Sequence, residues 1–217
     1  MGYAMTTGPS QTETEDLLRR AEQGDTRAVA ELFDRDRKRL RQMIRLRLDR
    51  RLQGRVDPSD VIQEAHIEVL RRAGEYVRAP AMPAFLWLRF LTGERLLHAH
   101  RRHLGAQMRD AGQEVSLHRG AFPQATSVSL AALLLGKLTS PTRAAQRAEM
   151  QLRLQDILNQ MDPIDREVLT LRHFEELSNS EAAKVLGLEK TAASNRYIRA
   201  LKRLRDVMAT MPGFFDP

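Results

Sequence analysis

SNSEAAKVLGLEKTAASNRYIRALKRLRDV, residues 178–207, reads as two helices separated by a tight turn. Ser178 followed three residues later by Glu181 is a capping box and predicts a helix start near Asn179. Gly187 after Leu186 supplies the left-handed conformation that stops this helix. A longer helix is predicted from about Glu189 to about Thr210, where Ala193, Tyr197, Ala200, Leu204 and Val207 form one apolar stripe at helical spacing. Its other faces carry Lys190, Ser194, Asn195, Arg196, Arg199, Lys202, Arg203 and Arg205. A short helix, a glycine turn and a basic second helix meet the requirements of a helix-turn-helix that sets side chains into a major groove. An ordinary helical hairpin with a solvated basic face shares the same local pattern.

The chain around this motif has 217 residues, 42% of them apolar, 5% aromatic, and a formal net charge of +7. Most of its cations are arginines, the side chain suited to planar, bidentate recognition of phosphate and guanine. A basic balance implies a polyanionic partner without separating DNA, RNA and a membrane surface. The absence of cysteine excludes disulfides and thiolate chemistry and suits a reducing cytoplasm. No apolar run approaches the roughly 20 residues that span a bilayer, so no membrane insertion is expected, and the polar start lacks a signal-peptide core. Met1-Gly2 with Thr6 fits an acylation pattern only formally.

Taken in order, residues 1–12 have a disordered composition, and a first helix is predicted from Glu13 to Gln23, ended by Gly24. Asp25 caps a long second helix from about Arg27 to Leu52. There Leu32, Phe33, Leu40, Met43, Ile44 and Leu48 face inward, and an arginine-crowded surface lies against something acidic. Asp57, Pro58 and Asp60 form a second start signal for a helix from Ser59 to about Ala73. Its Ile62, Ala65 and Val69 make a buried face; Asp60, Glu64, Ile67 and Arg71 make an acidic and apolar one suited to a protein partner, or to solvent with the acids at the positive helix end. Residues 74–83 read as a loop with two prolines, and a further helix runs from Ala84 to about Leu104. His98, His100 and His103 on that helix do not form a metal set, since His98 points away from the other two and no carboxylate or cysteine completes it.

Residues 105–148 carry the composition of an interdomain linker with room for a short helix at Leu130 to Leu135. A helix from Glu149 to Asn159 follows, then one opened by Asp162-Pro163 that runs through Phe174, and finally the helix-turn-helix. The expected fold is all-α: two small helical domains, 13–104 and 149–211, joined by a flexible linker.

The order of these parts resembles a bacterial sigma factor of the extracytoplasmic-function (ECF) group in the sigma-70 family. DPSDVIQEAHIEVL (57–70) is similar to the family's core-binding helix, with Asp57, Asp60, Gln63 and Glu64 in its acidic and Gln-Glu positions. FLWLRFLTGERLLHAHRR (85–102) resembles the helix that recognises and melts the −10 element, including the Trp87-Leu88 pair and terminal arginines. MDPIDREVLTLRHFEELSNSEAAKVLGLEKTAASNRYIRALKRL (161–204) resembles the domain that reads the −35 element. Glu94 and His98 stand where the family commonly shows Asn and Asp, and Ser194 where it commonly shows Lys.

The resemblance implies a transcription initiation factor that docks on core RNA polymerase and directs it to promoter DNA. Asp57, Asp60, Gln63, Glu64 and Ile67 would face the coiled coil of the polymerase's largest subunit, and the C-terminal domain its flap region. Trp87, Arg95, His98, Arg101 and Arg102 would meet the −10 element, with residues 74–83 capturing an unstacked base. Ser194, Asn195, Ile198 and Arg199 would reach base edges of the −35 duplex, while Lys190, Arg196, Lys202 and Arg203 meet its backbone. An Arg–guanine or Asn–adenine pair contributes about 1–3 kcal/mol of base discrimination, whereas phosphate contacts position without specifying. Trp87 is also a natural core residue. An anti-sigma factor or other regulator is a further implied partner. No cofactor and no metal are implied. The rival from the residues alone is a stand-alone helix-turn-helix regulator. An enzyme is disfavoured because the sequence has no phosphate loop, nucleophile elbow or metal quartet.

Overall fold

The computed structural model describes residues 11–23, 25–104, 123–138 and 144–209. Every α- or β-type element among them is a helix, in agreement with the all-α expectation. The helices are α1 (Gln11–Glu22), α2 (Thr26–Arg47), α3 (Pro58–Arg78), α4 (Ala84–Leu104), α5 (Ser127–Leu138), α6 (Ala144–Gln160), α7 (Pro163–Leu169), α8 (Asn179–Leu186) and α9 (Lys190–Met208). A 3-10 turn, Arg50–Leu52, follows α2, and one turn of π-helix, Thr170–Phe174, extends α7.

The starts are set by local chemistry. Asp25 accepts the N–H groups of Arg27 and Ala28, Asp57 that of Ser59 ahead of Pro58, and Asp162 those of Ile164 and Asp165 ahead of Pro163. Each carboxylate satisfies N–H groups that the first helical turn leaves without a partner. The end assigned to Gly24 lies outside the described residues. Helix α2 stops at Arg47 rather than at Leu52: Leu48 is extended, and Asp49 turns its carboxylate onto the N–H of Arg51 at 2.8 Å. Short acidic side chains compete with the helix in this way.

The loop expected over 74–83 is shorter, because α3 continues through Gly74 to Arg78. Tyr76 is buried, stacks on Trp87 with ring centroids 4.4 Å apart, and donates its hydroxyl to the Met82 carbonyl at 2.7 Å. That packing outweighs the roughly 1 kcal/mol helix penalty of one glycine, and it pins residues 79–83 beside Trp87.

Helices α1 to α4 enclose a first core around Phe33, Leu40, Ile44, Ile62, Leu88 and Leu91. All six residues expected to face inward from α2 are buried, as are Ile62, Ala65 and Val69 of α3. Helices α5, α6, α7 and α9 enclose a second core around Leu130, Leu135, Leu154, Leu158, Leu169 and Leu204. Helix α5 lies within the stretch read as a linker and buries Leu130, Ala131, Leu134 and Leu135; α6 starts at Ala144, earlier than the Glu149 expected. Residues 105–122 of that stretch fall outside the described residues.

The two cores interlock. Leu46 of α2 belongs to the second, while Leu171, Leu177 and Ala182 belong to the first. At the seam the Glu175 carboxylate is buried between Arg47 of α2, with which it is ion-paired, and Arg89 of α4, whose Nε donates at 2.8 Å. Arg47 also pairs with Glu167. Arg39 lies over the Phe85 ring and donates to the carbonyls of Glu175 at 3.2 Å and Glu176 at 3.0 Å.

Candidate nucleic-acid interface

The α8–α9 pair carries the features its sequence announces. Ser178 and Glu181 form both arms of the capping box, and Gly187 turns the chain at φ 62°. Asn179 donates from its side chain to the Lys190 carbonyl at 2.8 Å, tying the start of α8 to the start of α9. Ala182, Ala183 and Ala193 are buried, and such small side chains allow the two helices to approach closely. Ala200 and Leu204 continue the buried stripe of α9, with Tyr197 partly covered under the Arg172 guanidinium. The side chain of Val207 lies outside the described residues.

On the opposite side of α9, Lys190, Asn195, Ile198, Arg199, Lys202 and Arg203 are exposed, and Ser194 is half-buried at the margin. Ile198 is 60% exposed, unusual for an isoleucine that packs nowhere. Two arginines of this face are not simply solvated. Arg199 spans the Asp165 carboxylate, with Nε donating to Oδ2 at 2.7 Å and Nη2 to Oδ1 at 2.8 Å. Arg196 donates from Nη1 to Asp165 at 2.6 Å and to Asp162 at 3.3 Å. Burial pushes the Asp165 carboxyl up, yet the hydrogen bonds from Arg199 and Arg196 outweigh it and hold the group below its ordinary range. Sequence reading missed Asp165, because three residues after the cap Asp162 it looks like an acid complementing the helix dipole. Its partner lies 34 residues downstream, and no periodicity announces that pairing.

A second surface lies on α3. Asp60 and Gln63 are exposed, Glu64 is half-exposed, and Ile67 and Leu70 are 68% and 42% exposed. Asp57, at the same end, is exposed but also serves as the helix cap. The structure brings this surface against α4, where Arg102 donates to Glu64 at 3.1 Å. Both side chains are substantially solvated, so the pair is weak and salt-screened. On α4, His98, Arg101 and Arg102 are exposed, Arg95 is half-buried, and Trp87 stacks on Tyr76 at the margin of the first core. Arg95, His98 and Arg102 recur at i, i+3 and i+7 and so share one side of α4. Among the histidines, His100 is buried and its Nε2 accepts the N–H of Asp49 at 3.3 Å. Among the described residues no cluster of three His, Cys, Asp or Glu side chains could hold a metal ion, and no helix is long and apolar enough to cross a membrane.

Residues 151–204 match the family described as "Sigma-70, region 4". The RNA polymerase sigma-E factor of Streptomyces avermitilis is 41% identical over 61 residues, 28% of this chain and 34% of that protein. The RNA polymerase sigma-E factor of Streptomyces coelicolor is 39% identical over 61 residues, with the same coverage of 28% and 34%. The chain thus spans about a third of the length of these curated relatives. A solved structure described as CnrH in complex with the cytosolic domain of CnrY shares the fold at a TM-score of 0.52 and 22% identity, covering 91% of this chain and 97% of that one. The matched segment is the capped helical pair with its exposed basic face, and through that region 4 domain at residues 151–204 the chain belongs to the sigma-70 family.

Proposed function

We propose that this protein is an ECF-type sigma factor: a non-enzymatic initiation factor that binds core RNA polymerase and directs it to promoters. The observation that carries the reading is the coincidence of the region 4 match with an α9 face on which Asn195, Ile198 and Arg199 stand clear of the core. In this reading α9 enters the major groove of the −35 duplex. Asn195, Ile198 and Arg199, with Ser194 beside them, reach base edges, and Lys190, Lys202 and Arg203 meet phosphates.

The α3 surface of Asp57, Asp60, Gln63, Glu64 and Ile67 docks on the coiled coil of the polymerase's largest subunit. An exposed isoleucine ringed by acids suits a partner helix that is apolar at its centre and basic at its rim. Arg95, His98, Arg101 and Arg102 of α4, with Trp87 and residues 79–83, engage the −10 element, where extruding a base costs a few kcal/mol that pocket contacts offset. The polymerase flap is the natural contact of the region 4 domain. A solved relative in fold is held by a cytosolic protein domain, which supports an inhibitory regulator as a further partner.

Run-off transcription with purified core polymerase and genomic fragments tests the proposal. Defined transcripts are expected only when the protein is added. Co-purification with core is expected to fail after charge reversal of Asp60 and Glu64 together. A chain that ignores core polymerase, yet binds duplex DNA tightly on its own, would instead be a stand-alone helix-turn-helix regulator.

A further inference from the structure

The guanidinium of Arg199 is engaged on one edge only. Nε and one Nη2 hydrogen are held by Asp165, and Nη1 has no protein partner among the described residues. Because the guanidinium is planar with its five N–H donors in a fixed fork, binding a carboxylate through the Nε/Nη2 edge turns the Nη1/Nη2 edge outward. The side chain is 61% exposed, so that outward edge is open to a partner, whereas the Asp165 side chain is only 7% exposed. Arg196, 27% exposed, is spent on Asp165 and Asp162. It acts as a second clasp on the carboxylate rather than as a group aimed at solvent.

An outward Nη1/Nη2 edge presents two parallel donors. Among the base pairs in a major groove, guanine alone offers two adjacent acceptors, N7 and O6, on one base; adenine pairs its acceptor N7 with a donor. We propose that Asp165 is a positioning residue that fixes Arg199 end-on for a guanine in the upstream promoter element, making the pair the specificity determinant of α9. The inference rests on the promoter-reading function and adds to it the base and the residue that enforces it. An unbraced arginine would lose several rotamers on binding and could turn to a phosphate instead. The carboxylate removes both alternatives before DNA arrives. It does so without presenting a bare negative charge to the phosphates, since two guanidiniums cover its oxygens.

The test uses the full chain with core polymerase on promoter duplexes randomised through the upstream element, with the selected base read at every position. Wild type is expected to select guanine over adenine about tenfold or more at one position, the range of a good bidentate contact. Asp165→Asn and Arg199→Lys should each reduce that preference to about twofold or less, and Asp165→Asn should add nothing in an Arg199→Ala background. Arg199 is largely exposed, so Arg199→Lys reports on the proposal even if Asp165→Asn fails to fold. A merely structural Asp165 would weaken all sequences by one factor and leave the guanine preference intact, and that outcome overturns the inference. So does a guanine preference that survives Arg199→Lys. A wild-type holoenzyme that selects no upstream sequence overturns the promoter-reading function itself, and this inference with it.

Discussion

Arg89 on α4 and Glu175 after the π-turn, 86 residues apart in sequence, share a 2.8 Å hydrogen bond in which both side chains are almost wholly buried. Arg47 meets the other oxygen of the same carboxylate, so one acid satisfies two buried cations contributed by the opposite core. Taking three charges out of water is costly unless the geometry is complete, and removing one partner leaves the others uncompensated. Glu175→Gln is therefore expected to destabilise the chain by about 3–5 kcal/mol, measured by urea unfolding. Loss of less than about 1 kcal/mol would mean that water already reaches the seam. Burial pushes the Glu175 carboxyl up, but Arg47 and Arg89 prevail and hold it below its ordinary range. Its contribution is thus full at neutral pH and is lost as pH falls below about 4 toward the native value.

His100 gives a second pH signature with a different window. Burial is the main cause holding its pKa below the ordinary value; the Asp49 carboxylate opposes this and Arg51 adds to it. The unfolded chain takes up this proton near pH 6.5, before the native state does, so acidification favours unfolding. The melting temperature is expected to fall between pH 7.5 and 5.5, and His100→Gln should flatten that slope. An unchanged slope in the variant would assign the effect to another histidine.

Glu176 adopts φ 57°, in the left-handed region, directly beside the seam. A residue with a Cβ is disfavoured there by roughly 1–2 kcal/mol, and glycine recovers most of this while adding entropy to the unfolded chain. The Arg39 contact is to the Glu176 carbonyl and survives the change. Glu176→Gly is expected to stabilise the fold by about 0.5–1 kcal/mol. A lower melting temperature would show that the Glu176 side chain makes a contribution larger than the backbone strain.

Asp57 has two assignments that separate experimentally. Its carboxylate accepts the Ser59 N–H at 2.7 Å, a cap that asparagine can replace and alanine cannot. Asp57→Ala should lower the melting temperature by about 2–4 °C, with Asp57→Asn close to wild type. If the charge also contacts polymerase, Asp57→Asn should weaken co-purification with core enzyme while leaving stability alone. Equal polymerase affinity of Asp57→Asn and wild type would restrict this residue to capping.

The sequence by itself determined what depends on neighbours three or four residues apart. Ser178, Glu181 and Gly187 bound α8, Asp57-Pro58 and Asp162-Pro163 open their helices, and the apolar spacing of α2, α3 and α9 assigns their buried faces. Those interactions are made within one helical turn, so residue order alone specifies them. The exposed faces of α3 and α9 were legible for the same reason, as the complements of those apolar stripes.

Only the tertiary structure decided which charges meet. Arg47 and Arg89 looked like surface arginines and are buried on Glu175; Arg102 is paired with Glu64; Arg196 and Arg199 are gathered by Asp165. It also carried α3 past Gly74, through the packing of Tyr76 on Trp87, and folded α5 into the second core. Each of these is a contact between segments far apart in the chain, with an energy set by burial and geometry. Propensity and periodicity describe one segment at a time and hold no information about which distant side chain will share its buried site.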